Sequence, residues 1–214
     1  MKILILGAAG QIAQLVRNML QKDSRYELVL YARDIERRLK KVNDKETLVS
    51  DDFLDEKKLA VAMSGVDLVY LNDMGNPEAV QLILDQMKDN HVTRFIGTSI
   101  LGIYDEVAGE FGEWNHRMIG SSARTQAQKE SAHSVENSSA VYTLLRLTWL
   151  YNDPMKVHYQ LTKKGEPFVG AQVSRQAVAK LITDIIESDG VLYQNESLGV
   201  SEPGSEKLNK PRFN

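Results

Sequence analysis

Residues 3–13 read Ile3-Leu4-Ile5-Leu6-Gly7-Ala8-Ala9-Gly10-Gln11-Ile12-Ala13. Four consecutive apolar residues fit a strand covered on both faces, as in a parallel sheet, rather than a half-exposed strand of alternating pattern. Gly7 permits a sharp turn out of that strand. Gly10 has no Cβ, so the backbone can approach a pyrophosphate, and small Ala13 lets the next helix pack close to the sheet. Ile12, Leu15, Val16, Met19 and Leu20 recur at helical spacing, which predicts a helix over Gln11–Gln21. Its free N–H groups and dipole then face an anion. The spacing is G-x-x-G-x-x-A rather than the G-x-G-x-x-G of the dinucleotide fingerprint. Taken alone, it also fits an ordinary glycine-rich strand–helix turn. Placed after an apolar strand with further strands behind it, it predicts a dinucleotide site.

Outward from this turn, short apolar runs alternate with amphipathic stretches. ELVLYAR (27–33), ETLVS (46–50), DLVYL (67–71), VTRFIGTS (92–99) and VYTLLRLT (141–148) read as strands, and ESLGV (196–200) as a last one. Helices are predicted over 35–41, 56–63, from Pro77 onward, over a long polar stretch 116–136, and over 173–188 with Ser174 as N-cap. Such alternation implies right-handed βαβ crossovers and a doubly wound parallel α/β sheet with helices on both faces. No linker divides the chain, so residues 1–214 are expected to form a single domain. The segment 149–172, with Pro154, Gly165, Pro167 and Gly170, reads as a small cap over the carboxyl edge of the sheet. The tail 201–214 reads as loosely ordered.

Composition narrows the function. The chain has 214 residues, 26 Lys+Arg against 29 Asp+Glu, and a formal charge of −3. Neither nucleic acid nor a membrane surface is expected as a partner, because both call for a net basic face. There is no cysteine, which excludes disulfides, thiolate nucleophiles and thiolate metal sites. His91, His116, His133 and His158 show no ligand spacing, so no metal is expected. No apolar stretch reaches the ~18 residues of a membrane span, and the N-terminal apolar run is too short for a signal peptide. These features read as a cytoplasmic protein acting on a small molecule, as a monomer or weak homodimer.

The end of the second strand selects the cofactor. An acidic residue there suits the ribose hydroxyls of NAD. Here the place holds Tyr31-Ala32-Arg33, with no carboxylate before Asp34. Arg33 suits a 2′-phosphate, and Arg37 and Arg38 add positive potential or form a solvated helix face. NADP is therefore favoured, with NAD the alternative. Asp52 and Phe53, after the third strand, are placed to border the adenine or to form a plain strand-end turn.

Together these features resemble the atypical short-chain dehydrogenase/reductase superfamily in its NmrA-like, NAD(P)H-binding branch. The matching stretches are ILILGAAGQIA, LVLYAR, SDDFLD, RFIGTS, VYTLLRLTWL and VSRQAVAKLI. The resemblance implies a Rossmann-type sheet with a small substrate-side lobe. It implies that Gly7, Gly10, Gln11 and Ile12 touch the pyrophosphate, Arg33 the 2′-phosphate, and Asp52 and Phe53 the adenine. Asp73 and Met74 would lie along the cofactor, and Thr98 and Ser99 near the nicotinamide.

One departure stands out. Active members of the superfamily use Tyr-x-x-x-Lys on the helix after the fifth strand. The corresponding stretch here is Thr125-Gln126-Ala127-Gln128-Lys129. Lys129 is placed to hold the ribose, but a threonine hydroxyl is too weak an acid to replace the tyrosine. Ser99 fits the family's serine position, where it would hydrogen-bond. Tyr104, His116 and His133 are the remaining proton-bearing candidates, and Trp114, Trp149 and Tyr151 line a substrate pocket or belong to the core. The leading expectation is an NADPH-dependent reductase of a flavin, quinone or similar conjugated acceptor. The alternative is a non-catalytic NAD(P)-binding redox sensor, and a third is a sugar-nucleotide epimerase or dehydratase, for which the chain is short.

Overall fold

A computed structural model describes residues 1–212. The strands are β1 (Lys2–Leu6), β2 (Glu27–Tyr31), β3 (Glu46–Val49), β4 (Leu68–Leu71), β5 (Arg94–Ile100), β6 (Val141–Leu147), β7 (Trp149–Tyr151), β8 (Gln160–Lys163), β9 (Gln172–Ser174) and β10 (Glu196–Ser201). The α-helices are α1 (Gln11–Leu20), α2 (Ile35–Arg38), α3 (Glu56–Met63), α4 (Pro77–Asp89), α5 (Gly109–Asn115), α6 (Ala123–Glu136) and α7 (Arg175–Glu187). Eight strands form the central sheet in the order β3-β2-β1-β4-β5-β6-β10-β8. All neighbours are parallel except β8, which runs antiparallel to β10 at the edge. This is the Rossmann-type architecture that the alternation of runs predicts.

The apolar run in β1 has a direct cause. Ile3 and Ile5 face one core, with α1 and α7, while Leu4 and Leu6 face the other, with α3 and α4. A strand with both faces buried has no polar position to alternate with. Chain order reverses at β1, which lies between β2 and β4. Such a switch point leaves a crevice at the carboxyl ends of the strands, where ligands bind in open α/β sheets.

Three expectations need correction. The predicted helix over 116–136 is two pieces: a π-helical turn over His116–Gly120, then α6. A Cβ on Gly120 would lie 2.3 Å from His116 Nδ1, and Ser122 restarts the helix by accepting a hydrogen bond from Thr125 N at 3.1 Å. The segment 149–172 is not simply a cap. β7 pairs with β9 in a small parallel sheet, and β8 supplies the edge of the main sheet. The tail is not loose as far as it is described: Ser205 is buried in a 3-10 turn, and Arg212 N donates to Gln172 Oε1 at 2.7 Å. Phe213 and Asn214, also predicted to be loose, lie outside the described residues. Among the described residues no helix is long and apolar enough to cross a membrane.

Candidate cofactor site

The glycine turn is built at the switch point. Gly7 has φ +79°, a conformation that strongly favours glycine, and its N–H donates to Tyr31 O at 2.9 Å. Gly10 is the N-cap of α1 and offers no side-chain cap. The Ala13 N–H is taken by Asn72 Oδ1 at 3.1 Å, which also accepts from Tyr70 Oη at 2.9 Å. The N–H groups of Gln11 and Ile12 have no protein acceptor, so they and the helix dipole face outward. A Cβ on Gly10 would lie 2.3 Å from Asn72 Nδ2. The cradle thus has open donors and no room for a side chain, which fits a pyrophosphate. Asn72 is the buttress that the sequence did not single out.

Beside the turn lies a cavity of about 400 Å³ lined by Gly7, Gly10, Arg33, Arg38, Asp52 and Phe53, among others. Arg33 Nη1 is 3.8 Å from Asp52 Oδ2, and its side chain is 79 % exposed. A contact so long and wet holds the guanidinium weakly, leaving it available to a phosphate. Arg38 also lines the cavity, and its Nη2 donates to Ala9 O at 3.3 Å. Arg37 is exposed and is not part of the lining. Phe53 rests on Tyr31, with ring centroids 5.8 Å apart, and the Tyr31 hydroxyl donates to Asp52 O at 2.7 Å. These contacts hold Asp52 and Phe53 at the edge of the cavity.

A second cavity, about 290 Å³, continues past Gln11 and Ile12 to Asp73, Thr98 and Ser99. Asp73 lines both cavities. Its Oδ1 accepts from Gln128 Nε2 at 2.7 Å and Gly75 N at 3.1 Å, and Arg124 Nη2 reaches both carboxylate oxygens at 3.0 and 3.1 Å. Ser99 Oγ donates to Gln128 Oε1 at 2.9 Å. Thr98 is buried, and its hydroxyl donates to Asn72 O. The α6 pair that holds Asp73 is therefore Arg124 and Gln128, one residue before the pair read from the sequence.

Other predicted residues are not brought here. Lys129 does not line either cavity, and its Nζ pairs with Asp105 Oδ1 at 3.0 Å. Helix geometry explains this: Lys129 follows Thr125 by one turn, on the face beside Asp105 and the separate lobe cavity, whereas Arg124 and Gln128 share the face that meets Asp73. The Tyr104 hydroxyl donates to Glu136 Oε1 at 2.7 Å, at the far end of α6 from the cleft. Burial, and then Glu136, push its pKa up, which removes it further from acid–base work. Met74 is fully buried under Gly97, where a Cβ would lie 2.5 Å from its Sδ, and it lines neither cavity. Trp114 and Trp149 belong to the apolar cluster of the lobe, with ring centroids 4.8 Å apart. The Tyr151 hydroxyl bonds Glu202. His133 is exposed beside Asn137. His116 lines a separate cavity of about 460 Å³ between the lobe and the start of α6. That cavity touches no part of the glycine turn, which opens onto the other two. Among the described residues no cluster of metal-ligating side chains occurs.

Comparison with known proteins agrees with this geometry. The NAD(P)H-binding family model matches residues 7–189, and the chain belongs to that family. A short-chain dehydrogenase/reductase from Veillonella parvula, solved in complex with NADP, is 33 % identical, with a TM-score of 0.94 over 99 % of each chain. A Rossmann-fold NAD(P)-binding family protein from Shigella flexneri is 32 % identical, with a TM-score of 0.83 over 100 % of this chain and 98 % of that one. The anaerobillin reductase ChuY of Escherichia coli O157:H7 shares the fold at 17 % identity and a TM-score of 0.73, over 99 % of this chain and 100 % of that one. No curated protein matches the chain.

Proposed function

We propose that this protein is an NADPH-dependent reductase of a flavin, quinone or similar conjugated small-molecule acceptor. The observation that carries this reading is the composition of the cleft. It joins a phosphate cradle to an arginine-flanked cavity on one side and to a cavity with an apolar wall on the other, and among the described residues no tyrosine lines either. NADPH supplies a hydride when bound. A conjugated acceptor takes that hydride without a protein acid, and solvent delivers the balancing proton. Arg33 and Arg38 would hold the 2′-phosphate by charge-assisted hydrogen bonds, which supports NADPH over NADH. Gln11 and Ile12 would bind the pyrophosphate, and Asp52 and Phe53 the adenine. Asp73, held by Arg124, Gln128 and Gly75, is preorganised to orient the ribose hydroxyls, with Ser99 hydrogen-bonding behind it. The complex of the Veillonella parvula relative with NADP supports the choice of cofactor. The E. coli anaerobillin reductase is a reductase on the same fold.

The lack of a phenol in the cleft also suits a second reading, a sensor that binds NADP(H) and signals without turnover. Steady-state oxidation of NADPH separates the two. The reductase reading expects FMN or menadione to accelerate NADPH loss in proportion to protein concentration. Tight NADPH binding with no acceleration by either acceptor would favour the sensor.

A further inference from the structure

The 290 Å³ cavity carries a charge imbalance that the cofactor does not resolve. Arg124 and Arg175 both line it. The one carboxylate in its lining, Asp73, already accepts from Arg124, Gln128 and Gly75 N. The partner of the Arg175 guanidinium is neutral: Nη1 donates to Asn152 Oδ1 at 3.1 Å. Partial burial lowers its pKa. Two guanidinium groups thus line a cavity with one carboxylate, and that carboxylate is engaged by Arg124. The pyrophosphate has its own donors at Gln11 and Ile12, and nicotinamide carries no anion. Ile100, Leu147 and Leu150 give the cavity an apolar wall suited to a flat ring.

Placement of Arg175 is firm. It is the first residue of α7, whose N-cap Ser174 accepts from Ala177 N at 2.9 Å. The positive end of this 13-residue helix adds to the same potential. Arg124 is tied to Asp73 but remains 60 % exposed, so an incoming anion can reach it.

We infer that Arg124 and Arg175 anchor an acid group, carboxylate or phosphate, on the acceptor, so that the substrate is a planar conjugated molecule bearing an anion. This rests on the reductase reading above and narrows it. The test is calorimetric titration of the protein–NADP⁺ complex with FMN and with riboflavin, which differ by one phosphate. A charge-assisted anchor predicts FMN binding about 10- to 100-fold tighter than riboflavin. Arg175→Gln should bring that ratio close to one, Arg175→Lys should restore part of it, and Arg124→Gln should lower it independently. Equal affinity for the two flavins, or binding of neither, overturns the inference. So does an Arg175→Gln protein that binds NADP⁺ about tenfold more weakly while keeping its preference for FMN, because the guanidinium would then serve the cofactor. A preference for FMN without NADPH oxidation would instead sink the reductase reading and leave the anion anchor standing.

Discussion

At Gly10 the absence of one methyl group decides whether a phosphate can approach. The backbone there has φ −72°, so alanine is conformationally acceptable, yet its Cβ would meet Asn72 Nδ2 at 2.3 Å and Gly7 O at 3.2 Å. Gly10→Ala should fold but bind NADPH about 10- to 100-fold more weakly, because either the turn or Asn72 must move. Lys129→Ala should change NADPH affinity less than about twofold, since the ammonium is spent on an exposed partner, Asp105. Calorimetry on both variants checks the pair. A large loss for Lys129→Ala would return that lysine to the ribose. The glycines were legible because their spacing and place after an apolar strand state a steric need. Asn72, Arg124, Gln128 and Arg175 were not, because each acts across long sequence distances. Asn72 reaches Ala13, 59 positions away, and Gln128 reaches Asp73, 55 away.

Elements were legible wherever period and length agreed. α3 spans 56–63 as predicted, and α7 is capped by Ser174 as predicted, because its hydroxyl satisfies an orphan N–H. The break between His116 and Ala123 was hidden, since a polar helix carries no apolar stripe whose loss marks a stop. β7, β8 and β9 were hidden because strands of three or four residues leave no period to read. Strand arginines are a further case. Arg146 lies fully buried in β6, paired with Glu106 at 2.6 Å, among residues read simply as an apolar run.

The best-defined tie between elements is Arg17 on α1 with Glu46 at the start of β3. Arg17 Nε and Nη2 donate to the two carboxylate oxygens at 2.7 Å, and Val42 N adds a bond at 2.8 Å. Burial pushes the Glu46 pKa up, but Arg17 and Val42 outweigh it and hold the carboxyl below its ordinary 4.5. Removing one partner strands a buried charge, so Arg17→Ala should cost about 3–5 kcal/mol in urea unfolding near neutral pH. The sign with pH follows from the lowered pKa. The contribution is complete above the unfolded value near 4.5 and is lost as pH falls through the lower folded value. Glu46→Gln should therefore be less stable near neutral pH and show a flatter decline in acid. An unchanged acid profile would mean that the pair does not govern it.

At the scale of the molecule, the reversal of strand order at β1 brings residues from four separate loops to one crevice: the glycine turn, Arg33 after β2, Asp52 after β3 and Asp73 after β4. The doubly wound class could be read from alternation alone, because buried parallel strands and amphipathic helices leave opposite periodicities. The antiparallel edge strand and the division of the lobe could not, because they depend on pairing between distant segments. Function follows the same division. The glycine turn is written locally in the chain, whereas the far wall of the second cavity is assembled from α6, β6 and α7.

Titration of the protein with NADPH and with NADH, by calorimetry, and again in Arg33→Ala, tests the cofactor assignment on which the rest stands. NADPH should bind about 10- to 100-fold tighter than NADH, and Arg33→Ala should remove most of that difference while leaving NADH affinity nearly unchanged. Equal binding of the two nucleotides, or a preference that survives Arg33→Ala, would contradict the assignment of the 2′-phosphate to Arg33. Binding of neither would contradict the assignment of this crevice to a dinucleotide.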